Sequence, residues 1–477
     1  MGKPGVFIPC DTFREAARSA AEDNAMPTVR YRTVSSAEFY RLRASVEQVR
    51  PVAEGVIDEL IDALTTPLTA EETSADQAKK ESVELKSVTV TGESYEIAAE
   101  EFNRTYLDNK WGDGLPMVPP TSERVQWMLS GTSRSPDEII GKVSPKQGVA
   151  TVEKIAINAV MAGAKPEYLP VIIGIMEALT NERYDDRHVL LSAGSFNLLI
   201  VVSGPIVKEI EMHTGIGFMG HGWRANNTIG RAIRLSTLNI GHIWPGLNDM
   251  GLTGRVSPHT YITIAENTDF SKWEPYHAGR GFKAEDSCVT VASIPSAGPT
   301  QNFYGGMIGT WNAGEILNRI ADNIKRQDSR MFPQWGSKGV GSIPGSGGGG
   351  NNHMIILFPE LVSELKKLGY DQVKLQDEIY RRTSVKYEDL RPEDIKGIQT
   401  GIETGVVPPE RKEVFENALK PGGMVPVLVY PENVNLFVAG GAPGCAFSYS
   451  YSRIPPYNYL GLMTRKITGA TLTRAGK

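Results

Sequence analysis

The chain has 477 residues, with 50 Lys and Arg against 55 Asp and Glu, and its formal net charge of −5 excludes a nucleic-acid binder that relies on a basic surface. No apolar run approaches the roughly 18 residues of a membrane span, and MGKPGVFIPCDTF has too short an apolar run for a secretory signal. Three cysteines in such a length make no disulfide framework, so the expectation is a cytoplasmic α/β protein with neither nucleic-acid nor membrane partners.

Residues 4 to 65 read as a small α/β unit. Gly5 to Pro9 is a short strand, Asp11-Thr12 starts the helix Phe13 to Asp23, and Thr28 to Val34 is a second strand. A long helix follows, with Val52, Val56, Leu60 and Leu64 at helical spacing. Two strands and two helices do not close a core by themselves. The segment reads as an incomplete domain, residues 1–67, followed by a polar, aromatic-free linker, 68–94.

The order strand, Cys10-Asp11-Thr12-Phe13, helix, Asn24-Ala25-Met26-Pro27, strand, ending in AEGVIDELIDALT, resembles the C-terminal half of the UGSC-motif (seleno)proteins. Those proteins in turn resemble the selenoprotein subunits of glycine- and betaine-reductase-type enzymes. The resemblance covers about the first 65 residues, and the family's redox-active Cys- or selenocysteine-Gly-Ser-Cys motif is absent. It implies that a second subunit carries the motif and that this chain is one subunit of a heteromer. Trp111-Gly112-Asp113-Gly114-Leu115-Pro116, residues 150–170 and RANNTIGRAI (224–233) resemble uncharacterised bacterial proteins that accompany or are fused to that family, a group that brings no reaction with it.

The large remainder predicts two pseudo-symmetric α/β modules, 95–310 (with N-terminal helices) and 311–477. LLIVVSGPIVKEI (198–210) is echoed by HMIILFPELVSEL (353–365), and TIGRAIRLSTL (228–238) by KLQDEIYRRTS (374–384). YITIAEN with CVTVASIPSAGPTQN is echoed by VPVLVYP with LFVAGGAPGCAFSY. Thr121, Ser135-Pro136 and Thr151 read as helix starts, and Tyr168 to Thr180 as an interior helix. Chance similarity between α/β halves is the competing reading, and loops after strand ends make the space between modules the default ligand position.

Within this frame, 213–234 is the most informative stretch. Glycines 215, 217, 220 and 222 stand among His213, His221, Trp223 and Arg224, and Asn226, Asn227 or Thr228 can cap the next helix. Backbone N–H groups, a helix start and cations together suit an anionic or carbonyl ligand. Arg224 and Arg231 with Asn226 and Asn227 are therefore candidate contacts to a substrate oxyanion, alongside His213 and the amides of Gly217 and Gly220. Helix-face ion pairs are the plainer alternative. The GxGxxG match at 215–220 lacks the preceding strand and following acid of a dinucleotide site. Gly345 to Gly350 lacks GK[ST], and reads as a connector or a lid.

Candidate catalytic groups are Cys10, which lies between a strand and a helix start where a thiolate is favoured, Cys445 in a glycine-rich loop, Asp113 as a general base, and His221 as a proton donor. A structural thiol and an Asx-turn are the alternatives at Cys10 and Asp113. Cys288 reads as core. Histidines 213, 221, 242, 259 and 277 fall close together in sequence without HxxxH or HExxH spacing, so no metal ligand is assigned and no cofactor is named. The expectation is the large subunit of a heteromeric thiol- or selenol-dependent enzyme, reductive or C–X-cleaving, on a small polar or anionic molecule. A metal-dependent hydrolase or lyase using the loop histidines, and a non-catalytic small-molecule-binding subunit, are the alternatives. Tyr449, Tyr451, Tyr457 and Tyr459 read as an aromatic wall or subunit interface.

Overall fold

A computed structural model describes the chain except residues 1–4, 24–25, 27, 36, 38–44, 71, 73–86, 185, 193–194, 252–253, 256, 268, 270–272, 295, 302–312, 329–351, 406, 442–446, 453–461 and 472–477. Cys445, Gly345 to Gly350, Tyr457 and Tyr459 lie outside the described residues.

The protein is α/β, and its large part is built around two four-stranded sheets. The first runs β8-β3-β1-β2, with β1 Asn197–Ser203, β2 Ile262–Ala265, β3 Cys288–Ile294 and β8 Leu462–Lys466. The second runs β4-β7-β5-β6, with β4 Ser296–Gln301, β5 His353–Leu357, β6 Val434–Val438 and β7 Phe447–Ser452. Each has one parallel pair, Leu199 opposite Ile262 and Met354 opposite Asn435. Each then adds two antiparallel neighbours, with Val201 opposite Thr290 opposite Thr464, and Ile356 opposite Tyr449 opposite Pro299. The two sheets therefore share one order and one set of directions.

The fourth strand of each sheet is exchanged. β4 follows β3 after a single residue yet pairs with β7, and β8, the strand after β7, returns to pair with β3. A cut near residue 310 thus separates each sheet from its outer strand. The echo of β1 in β5 is structural, but the counterpart of β2 is β6 and not residues 425–431. Val425, Val427 and Val429 instead pack with Ile398 and Phe415 in a small separate core.

Period-two alternation decides the layers. Leu198, Ile200 and Val202 of β1 face a helix layer, while Leu199 and Val201 face the other sheet. In the second sheet Ile355 and Leu357 face helices, and Met354, Ile356 and Phe437 face inward. The result is helices, sheet, sheet, helices, with β1 and β5 buried on both faces as near-continuous apolar runs should be.

On the first sheet lie α1 Val152–Met161, α2 Leu169–Leu179 and α3 Arg224–Gly241, with α2 against β3 and β8 and α3 against β2. On the second, α4 Ala313–Asp328 packs on β7 and β4, and α6 Gln372–Thr383 on β6, after α5 Pro359–Lys367. Leu169, Val171, Ile172, Ile173, Ile175, Met176 and Leu179 of α2 are fully buried, each contributing about 2 kcal/mol by leaving water. Thr151 caps α1 through a bond from Lys154 N, and Thr121 precedes helix Ser122–Leu129. Ser135-Pro136 starts no helix; it is a turn into the hairpin Ile139–Val143 with Gly148–Thr151.

The N-terminal segment has two isolated parallel bridges, Phe7 to Tyr31 and Cys10 to Val34, and helices Arg14–Asp23 and Val46–Thr65. Of its described apolar side chains only Pro9, Val34 and Ala63 are buried. Among the described residues no helix is long and apolar enough to cross a membrane.

Candidate functional site

The loop between β1 and α3 is held by its own side chains. The His213 ring stacks on Trp223 at 3.5 Å between centroids, nearly parallel at 11°, and its Nε2 lies 2.8 Å from the Ile216 carbonyl. Trp223 Nε1 donates to Gly217 O, and the Gly220 N–H donates to the same carbonyl. Gly217 has φ +72°, where a side chain would be strained. Phe218 turns inward between the sheets, and the Gly440 N–H donates to Thr214 O, so the loop is pinned to the end of β6 in the other module.

α3 begins at Arg224, with Trp223 at the cap and no side-chain cap bond, so Asn226, Asn227 and Thr228 lie inside its first turns and do not cap it. Their side chains reach back to backbone. Asn226 accepts from His213 N and donates to the carbonyls of His213 and Phe218. Asn227 donates to Gly220 O and Trp223 O, and Thr228 donates to Arg224 O. Arg224 donates through Nε and Nη2 to Gly163 O.

Arg231 is occupied. Its Nε and Nη2 grip both carboxylate oxygens of Asp113, at 2.8 and 2.9 Å, and Nη2 also reaches Leu115 O and Pro116 O. With side-chain exposures of 17% and 5%, the pair clamps residues 111–116 to α3 and leaves neither group facing a ligand. Asp113 Oδ1 also accepts from Leu115 N, the Asx-turn bond of the plainer reading. The structure thus joins Asp113 to Arg231, His213 to Asn226 and Trp223, and Trp223 to Gly217. His221 is exposed on the loop beside Gly222, whose φ is +94°.

Cys10 belongs to the N-terminal segment and makes none of these contacts. It is half-buried at the start of the short turn Asp11–Phe13 that leads into helix Arg14–Asp23. Cys288 is fully buried, and that burial, with Asp286 nearby, pushes its thiol up to about 12, which makes it inert. Among the described residues no three His, Cys, Asp or Glu side chains converge as ligands for a metal ion.

Three clusters have no sequence signal because distant segments form them. Ser203 Oγ lies 2.7 Å from His277 Nδ1, and His277 Nε2 lies 3.0 Å from Lys283 O. A carbonyl only accepts, so Nε2 carries the proton and Ser203 donates to Nδ1. Burial first, against the nearby Lys283 and Ala284 backbone, keeps this imidazole below its ordinary pKa. At 1% and 0% exposure the pair is sealed and structural.

The second cluster joins the sheets. Tyr276 Oη donates to Asn435 Oδ1, Arg280 reaches the same oxygen, and Asn435 Nδ2 donates to Asn352 Oδ1. Tyr276 N bonds the Glu266 carboxyl, which burial pushes up to about 8, so the side chain is a neutral acid at neutral pH. The third cluster lies at the other end of α3, where Asn239 donates to Asn158 Oδ1 and Trp111 O, Lys146 N donates to Gly241 O, and Lys146 and Lys154 lie near His242.

No protein-family model and no curated protein matches the chain.

Proposed function

We propose that the chain is the large subunit of a heteromeric thiol- or selenol-dependent enzyme, a reductase or a C–X-cleaving enzyme, acting on a small polar or anionic molecule. The observation that supports this reading is the unfinished N-terminal segment. Phe7, Ile8, Ile57, Ile61 and Leu64 stand 43–53% exposed, and Ile57, Ile61 and Leu64 form one stripe along helix Val46–Thr65. Two isolated parallel bridges do not make a lasting sheet, because parallel sheets are covered on both faces by helices. Covering those five side chains would contribute on the order of 1 kcal/mol each. A partner with further parallel strands and a helix layer fits that need, and the resemblance of residues 1–65 to the UGSC-motif proteins assigns the reactive Cys- or Sec-Gly-Ser-Cys to it. Cys10, half-buried at a helix start, is the thiol this chain brings to such an interface.

The test is co-purification of the tagged chain from its native host. A stoichiometric second polypeptide carrying that motif, with thiol-dependent turnover only when both are present, supports the reading. A lone, fully active chain overturns it.

A further inference from the structure

We propose that the C-terminal end of α3 is an oxyanion-binding site, formed by Lys110, Lys146, Lys154 and His242 around Asn239, for the phosphate or carboxylate group of a small hydroxyl-bearing molecule.

Four elements converge there. Asn239 on α3 donates to Asn158 Oδ1 on α1 and to Trp111 O. Lys154 lies one turn before Asn158, Lys110 precedes Trp111, and His242 follows Asn239 by three residues. The hairpin turn joins from the fourth side, with Lys146 N donating to Gly241 O. Lys110 Nζ stands 6.0 Å from the centre of the Trp244 ring, and Lys154 Nζ donates to Val149 O. Neither Lys110 nor Lys154 has a carboxylate partner among the described residues, although acids outnumber bases in the chain. The acid that faces this turn, Asp186, accepts from Ser144 N.

Two further observations point to a ligand. Asn239 Oδ1 is buried without a hydrogen-bond partner; a buried acceptor left so is costly, and a ligand hydroxyl would satisfy it. The His242 side chain stays reachable from solvent while desolvation, then Lys146, then Lys154 hold its pKa below the ordinary value. Helix-end complementarity does not account for Lys154, whose ammonium lies on Val149 O and not on the last carbonyls of α3. Midway along the helix Arg231 is spent on Asp113.

The site is tested on the single full-length chain, independently of any partner subunit. The His242 ring is followed by NMR in histidine-labelled protein, assigned with His242→Gln, while inorganic phosphate or glycolate is added to about 10 mM, a range that detects weak binding. The expected result is a saturable shift and a raised His242 pKa, about tenfold weaker in the folded double variant Lys110→Met with Lys154→Met, and retained in Lys154→Arg. Tighter saturation by glycolate than by acetate assigns the hydroxyl to Asn239; equal saturation removes that hydroxyl contact and overturns the ligand class. No shift with either anion overturns the site. So does a shift that persists unchanged in the double variant, which marks an adventitious ion only.

Discussion

Asp113 and Arg231 are 118 residues apart in the chain and meet as a two-pronged ion pair at 2.8 and 2.9 Å. The fork fixes the WGDGLP segment against α3 and uses the two side chains that a sequence reading offers as base and substrate clamp. Removing one partner leaves a nearly buried charge unpaired. Arg231→Ala or Asp113→Ala should each cost about 3 kcal/mol of unfolding free energy. The double variant should cost much less than their sum in denaturant titrations. Additive losses would mean that the two groups act separately.

The exchanged strands make the modules interdependent. Residues 1–310 expressed alone lack β8 for the first sheet, and 311–477 alone lack β4 for the second. Neither fragment should show a cooperative thermal transition, whereas the two co-expressed should give one. Independent melting of either fragment contradicts the exchange.

Glu266 ties stability to pH. Its carboxyl titrates near the ordinary 4.5 when unfolded and at about 8 in the folded chain, because burial disfavours the charge. Between those values the unfolded chain releases a proton that the folded one keeps, so stability is full below about pH 4.5 and falls as pH rises through 8. Glu266→Gln should flatten the decline in melting temperature between pH 5 and 9. An unchanged slope would show that other groups set it.

α3 approaches β2 through Gly230, where a Cβ would lie 2.2 Å from Tyr261 O and 2.4 Å from Thr260 Oγ1. Gly230→Ala should therefore destabilise by about 2–3 kcal/mol although alanine favours helix, as measured by urea midpoint. A neutral result would mean that this close approach relaxes freely.

Much of the scaffold is legible in the sequence because local rules and tertiary structure agree. LLIVV and HMIIL are buried on both faces, Thr151 caps its helix, and the apolar run 168–180 is interior. The strand exchange is not legible, since nothing in SAGPTQ or LMTRK marks which sheet will receive it. Ser135-Pro136 satisfies the rule for a helix start, yet the next residues pair as a hairpin while Arg134 binds Glu138 and Glu177. For the candidate site the limit is partner choice. Asn226, Asn227, Arg224 and Arg231 have the right chemistry for an oxyanion, but backbone carbonyls and Asp113 take them first. The cluster at the far end of α3 is dispersed over Lys110, Lys146, Lys154 and His242, a separation no spacing rule detects.

Hydrogen exchange across helix Val46–Thr65 tests the central claim most directly. A helix whose Ile57, Ile61 and Leu64 stripe lacks a cover should exchange its amides rapidly in the isolated chain, far faster than α2, and become protected when the partner subunit binds. Protection in the isolated monomer equal to that of α2 would show the segment already complete and would contradict the heteromer.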